Sequence, residues 1–584
     1  MKLTVFLHAI LLTLLIEATW MVFPLIAGKE IYRGINIPQF GTDQHYYLTR
    51  GNDVLDGHGL GNSLQHDGKT RPDTFFTLNE RLLLTPLRVF GIADGTDVVW
   101  VYNLLNTVGV FIVCLLIYFF AFRFTGSQDV SLAAMVGIIG GYSIVFNHRL
   151  FYIDSNLYGR AMYPYLSSIG LFITLILLLN ALKKHRPTDR VYAGIAYGAL
   201  FYNYFFAWSF TTVFLGIFCA LLFLWKRRIE AFTVVCIIAI GLGIGSFNLF
   251  KLFGSLLSHT DRAVSYFHWL EHTHAPMMSI VAVVSLALFG FYAARKRSDP
   301  RLPFMLAIIL ASFVIVNQQV ITGIRIQPGH FYWYFIVPLN ILIAIVMASE
   351  LLRERFRSVI MWAIISIAYL NTAVGQFQST ISALPLKIQE QRWQPMLMQL
   401  SRSQEDRVVL TASSPQALLI PIYTHHDLFW QASAVLYRPN IEQMKDMLIV
   451  YLWLNRDARL DVRRYLDDIA HGAKPSSEGA LFTDIEGFES GLDYYPYQRA
   501  FVAQDASLEP LHQSLINDLV ARYKIYESAP DGFQSLLTKY YVTYLVHDKI
   551  TWPDMDPSVI SNLRAVFDQD GVTLYEIVAS IQIM

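Results

Sequence analysis

Long apolar runs, separated by short basic or polar connections, organise most of the chain. Runs of about 20 residues are needed to cross roughly 30 Å of hydrocarbon. They fall near residues 5–27, 97–122, 129–147, 161–182, 191–205, 207–225, 231–250, 277–294, 302–320, 331–349 and 358–375. The pattern predicts about 11 transmembrane helices. The pair within 191–225 is short, but charge requires it. Lys183, Lys184 and Arg186 precede it, and Lys226, Arg227 and Arg228 follow it. Basic clusters mark the cytoplasmic side, so the chain has to cross out and back between them. Arg295-Lys296-Arg297 and the Arg353–Arg357 cluster fall on the same side.

This alternation places the N-terminus inside and the C-terminal region outside. Residues 1–376 are expected to form the membrane domain, with a long outer loop over 28–96, and residues 377–584 an extracytoplasmic mixed α/β domain. The first apolar run follows Lys2 as a signal peptide would. Its length, and the lack of a small-x-small cleavage site, predict a retained helix instead. Glu17 within it should face other helices and not lipid. In the tail, Arg407–Thr411, Tyr540–His547 and Val572–Val578 read as strands, and 441–454, 457–469 and 557–567 as helices.

Composition agrees with the pattern. Of 584 residues, 54% are hydrophobic and 15% charged, against about a quarter charged in soluble domains. A disordered chain, a coiled coil and an ordinary soluble enzyme are excluded. Met1–Gln376 carries 28 Lys/Arg against 19 Asp/Glu, and Phe377–Met584 17 against 26, so the two regions meet different surroundings. No basic stripe with interleaved aromatics points to nucleic acid. Cys114, Cys219 and Cys236 all lie in apolar runs, which excludes a disulfide framework and a zinc ribbon. No N-x-Ser/Thr site occurs, which favours a bacterial inner membrane, with the C-terminal domain in the periplasm or outside, over an ER membrane.

Most of the candidate chemistry lies on the outer face. The first loop opens with Gly41-Thr-Asp-Gln-His-Tyr-Tyr-Leu-Thr-Arg50. A carboxylate there, Asp43, sits where it can deprotonate a hydroxyl beside a lipid-borne substrate; a helix N-cap is its structural alternative. His45, two residues on, is a candidate phosphate contact. A first helix, a large outer loop with an early Asp, many further helices and an outer C-terminal domain together resemble the GT-C glycosyltransferases. These polytopic enzymes use polyprenyl-phosphate-linked sugars, and include protein O-mannosyltransferases and the oligosaccharyltransferase catalytic subunit. The stretch YNLLNTVGVFIVCLLIYFF resembles the helix after their first loop, and the resemblance implies that Asp43 is the catalytic or substrate-positioning acid of that loop.

The second outer loop runs from Asn147 to Arg160. Oligosaccharyltransferase-like members carry a D-x-D-type pair there that helps hold a divalent metal. Asp154-Ser155-Asn156 is a weakened version, and hard cations such as Mg or Mn favour several carboxylate oxygens. Asp154 is thus a candidate metal ligand or a partner for Arg149 or Arg160. Those arginines are in turn candidates for the leaving phosphate, as in metal-independent members. In the segment Asn317–His330, irregular polar backbone ends in an aromatic run, Phe331-Tyr-Trp-Tyr334. Such backbone persists at membrane depth only where it is buried or lines a cavity, so Arg325 and His330 are further phosphate candidates, with interfacial anchoring as their alternative. His268-Trp-Leu-Glu-His272 matches the H-x-x-E-H peptidase pattern; on a helix His268 and His272 would share a face suited to zinc, and a solvated polar loop is the alternative.

No nucleotide-binding signature is present. The reading that results is a membrane glycosyltransferase, taking its donor from a polyprenyl-phosphate-linked sugar and passing it, with inversion, to a glycan, lipid or protein acceptor. The alternatives are a transporter or flippase for lipid-linked saccharides and a non-catalytic scaffold, besides the peptidase that H-x-x-E-H would imply.

Overall fold

The computed structural model describes residues 3–37, 42–70, 77–153, 155–257, 270–403, 405–432, 434, 440–472, 476–490 and 494–578; for 42, 43, 255–257, 494 and 495 it describes the backbone alone. Among the described residues, eight helices are long and apolar enough to cross a membrane, and Gln128–Ile139 and Ile280–Arg295 are shorter apolar helices. The chain is a polytopic α-helical membrane protein with a C-terminal sheet domain.

Five helices frame the first connecting loop and the end of the membrane bundle: α1 (Leu3–Ile31), α2 (Thr42–Asp56), α3 (Asn79–Val89), α4 (Val98–Thr125) and α5 (Glu354–Gln391). Gly126, in the left-handed region at φ 74°, stops α4, as a glycine beyond a helix end commonly does. The last membrane helix, α5, continues past Gln376 to Gln391. Glu17 faces the bundle interior as expected: it is buried and accepts hydrogen bonds from Trp20 Nε1 and Asn106 Nδ2, each at 2.7 Å.

The C-terminal sheet has five strands in the order β4-β3-β5-β7-β6. These are β3 (Val408–Leu410), β4 (Asp427–Leu428), β5 (Val542–Asp548), β6 (Leu563–Gln569) and β7 (Val572–Ile577), and β3 is parallel to both β4 and β5. A further pair, β1 (Glu271–His272) and β2 (Ile324–Arg325), lies in the membrane domain. The helix expected over 557–567 is instead a short 3-10 turn followed by strand β6. The cause is local. Asp570 (φ 54°) and Gly571 (φ 78°) make a two-residue turn that pairs Gln569 with Val572, and Asp-Gly is the turn chemistry of a tight hairpin. The stretch expected as one helix over 457–469 is two, Arg456–Leu460 and Val462–Ala470, divided at extended Asp461.

Helix α2 is held on three sides. A Cβ at Gly51 would meet the Tyr102 ring of α4 at 2.5 Å, so only glycine allows this approach. Arg50 Nε donates to Glu80 Oε1 of α3 at 2.7 Å, in a pair almost wholly withdrawn from solvent. Asn52 Nδ2 donates to the Ile422 and Thr424 carbonyls of the C-terminal domain, at 3.1 and 3.3 Å. The first turn of α2 therefore sits on an element wedged between α3, α4 and the C-terminal domain.

Candidate active site

The first turn of α2 begins at Thr42, so Asp43 occupies it; the Asp43 side chain lies outside the described residues. Its neighbour Gln44 is buried, and Gln44 Oε1 accepts from the Ala161 backbone N–H at 2.8 Å. That bond ties the first turn of α2 to the end of the second outer loop, beside Arg160. Arg160 Nη1 donates to the Tyr334 hydroxyl at 3.2 Å. The Tyr204 hydroxyl lies 2.6 Å from His330 Nδ1. Tyrosine rings in contact complete the link: Tyr163 and Tyr204 stack with ring centres 4.2 Å apart, Tyr47 of α2 lies tilted 5.3 Å from Tyr163, and Tyr204 lies tilted 5.8 Å from Tyr334. Four segments distant in sequence thus converge at one place.

Local backbone explains the convergence. Tyr204 is extended (φ −154°, ψ 130°) at the entry to the helix Phe205–Leu224. Residues 332–336 form a π-helical turn inside the span Pro328–Leu351. Such turns insert an extra residue into a helix and are frequent at functional sites; this one carries Tyr334, which is buried. Arg160 and His330 are only partly buried, so each keeps a surface for a ligand.

The other sequence candidates lie elsewhere or differ in partner. Arg325 Nη1 donates to Glu271 Oε2 at 2.7 Å, across from it in the β1–β2 pair, so its charge is already compensated. Arg149 is exposed, and His45 is buried on α2. Asp154 and His268 lie outside the described residues. Glu271 and His272 form a strand rather than the helical turn that would align His272 with His268. Among the described residues, no group of three or more His, Cys, Asp or Glu could hold a metal ion. Sequence reasoning missed Gln44, Tyr163, Tyr204 and Tyr334. The aromatic run at 331–334 was a signal for the last of these; Gln44 and Tyr163 had none.

A second polar cluster joins the outer loop to the C-terminal sheet. His425 Nδ1 lies 2.6 Å from Asp56 Oδ2, His66 Nδ1 3.4 Å from Asp427 Oδ2, and His58 Nε2 3.3 Å from Asp406 Oδ2. Lys69 Nζ lies 2.9 Å from Asp427 Oδ1 and 3.6 Å from Asp53 Oδ1. The hydrogen bond that His425 makes to the Asp56 carboxylate raises the His425 pKa, and the contact with the Asp427 carboxylate raises that of His66. Burial holds Asp53 well above the usual carboxylate range. Asp427 is lowered, because its bonds to His66 and Lys69 outweigh the effect of its burial.

No family model and no curated protein matches the chain. Among solved structures it is similar to ArnT from Cupriavidus metallidurans bound to undecaprenyl phosphate, at 10% identity and a TM-score of 0.48, over 97% of this chain and 98% of that one. It is also similar to the oligosaccharyltransferase of Archaeoglobus fulgidus. The apo form matches at 12% identity and a TM-score of 0.44, over 94% of this chain and 69% of that one. The complex with zinc and sulfate matches at 11% identity and a TM-score of 0.44, over 73% and 62%.

Proposed function

We propose that the protein is a membrane glycosyltransferase that moves a sugar from a polyprenyl-phosphate carrier to an acceptor hydroxyl, at the face where α2 meets the C-terminal domain. The observation that carries this reading is the convergence of the first turn of α2 with Arg160 and His330. The Asp43 carboxylate takes the proton of the acceptor hydroxyl. The acceptor oxygen then attacks the anomeric carbon from the side opposite the phosphate, and the carbon–oxygen bond to phosphate breaks with its electron pair leaving on the phosphate, which inverts the centre. Arg160 and His330 donate hydrogen bonds to that phosphate as its charge develops. The tyrosines wall the site, and the exposed apolar helix surface accommodates the prenyl chain. The membrane would be a bacterial inner membrane, with residues 377–584 on the outer side, close enough to help hold the acceptor.

A structure in lipid nanodiscs with added undecaprenyl phosphate tests the leaving-group site. Phosphate density in contact with Arg160 and His330 is expected; density only elsewhere overturns the assignment. Asp43→Asn should lower turnover of a polyprenyl-phosphate sugar by about 10²–10⁴-fold with little change in carrier binding. An Asp43→Asn protein with full turnover would remove Asp43 from the chemistry.

A further inference from the structure

The face of the bundle away from the C-terminal domain carries a cavity of about 800 Å³. It lies among the ends of α4, of Tyr165–Lys184, of Arg228–Leu257 and of Leu302–Ile315. Its wall is apolar, formed by Phe122, Leu179, Leu182, Phe218 and Phe304. Five cations border it, and they are not equivalent. Arg227 Nε donates to Glu230 Oε1 at 2.8 Å, and Arg301 Nη2 lies 2.7 Å from Asp299 Oδ2 and 3.0 Å from Glu350 Oε1, so those two charges are compensated. The other three are not. Arg123 donates to the uncharged amide of Asn180, while Lys183 and Lys184 are exposed and have no carboxylate partner among the described residues.

Three uncompensated cations at the rim of an apolar cavity, at the ends of membrane helices, call for an anion with an apolar body. We propose that this cavity binds an anionic phospholipid, with its phosphate headgroup on Arg123, Lys183 and Lys184 and its acyl chains against the phenylalanine and leucine wall. Basic pockets between membrane helices have the charge and depth for such headgroups. A free phosphate ion would satisfy the cations but leave the apolar wall against water. The site lies at the opposite end of the helices from the first turn of α2, and it does not depend on the transfer reaction.

Delipidated full-length protein in detergent is titrated with phosphatidylglycerol, with phosphatidylcholine and with inorganic phosphate, and retained lipid is counted by native mass spectrometry. Phosphatidylglycerol should be retained and the other two should not compete for it. The triple variant Arg123→Gln/Lys183→Gln/Lys184→Gln should lose about tenfold or more in affinity, with unchanged elution on size exclusion. Lys183→Arg/Lys184→Arg should keep the affinity and guards against a folding artefact. Arg355→Gln/Arg357→Gln, a basic pair on the same face outside the cavity, should also keep it. An equal loss from that pair would reduce the effect to general surface charge and overturn the site. Displacement by inorganic phosphate alone would overturn the lipid as occupant.

Discussion

At the residue scale, the contact with the clearest chemical consequence is Tyr204 with His330. The two atoms are 2.6 Å apart. A Tyr204 hydroxyl that donates to Nδ1 leaves Nε2 as the N–H donor, the form of imidazole that can meet a phosphate oxygen. Tyr204→Phe keeps the ring stacking with Tyr163 and removes only this bond. A neutral hydrogen bond contributes about 0.5–1.5 kcal/mol, so affinity for undecaprenyl phosphate should fall about 2- to 10-fold, as read by titration in nanodiscs. If Tyr204 acts through His330, the same substitution in a His330→Gln background should cost little more. Additive losses would show that Tyr204 acts independently of His330.

At the element scale, α2 shows what residue patterns can and cannot carry. Asp43 and the helical run after it were visible as a polar segment beyond the first apolar helix, and eight of the eleven apolar runs coincide with helices long enough to cross a membrane. The π-helical turn at 332–336 was not visible, since it changes the phase of an apolar helix without changing its composition. Strand β6 has a local signal in the Asp570-Gly571 turn, whereas the pairing of β3 with β5 joins Val408 to Val542, segments far apart in sequence. The seat of α2 is likewise hidden: Gly51 looks like a weak point in a helix until Tyr102 is seen against it. Overpacking at such a position costs about 1–3 kcal/mol. Gly51→Ala should therefore lower the thermal midpoint and, by tilting α2, turnover as well. Tyr102→Ala in the same protein should recover part of both, and two purely additive losses would rule out the steric account.

At the scale of the whole molecule, the polar cluster between the outer loop and the C-terminal sheet predicts that their attachment depends on pH. His66 and His425 have pKa values raised in the folded protein by Asp427 and Asp56. A raised value means a contribution that is fully present below the unfolded histidine value of about 6.5 and is lost as pH rises through the folded value. His58 works the other way, since burial lowers its value and Lys69 reinforces the shift; it is one group against two. Lys69, Asp53 and Asp406 face the same cluster. His66 is half-exposed, so solvent screens its pair, and the larger share of the effect falls to His425, whose side chain is 23% exposed. Hydrogen exchange of the backbone at 57–70, corrected for intrinsic rates, should therefore show protection falling by about a few-fold between pH 6.5 and 8.5. His425→Gln keeps a hydrogen-bonding side chain but cannot titrate, so it should remove most of that slope while sparing the 441–454 helix from any change. A flat profile in the unaltered protein would mean that Lys69 alone holds the loop, through the two aspartates it bridges.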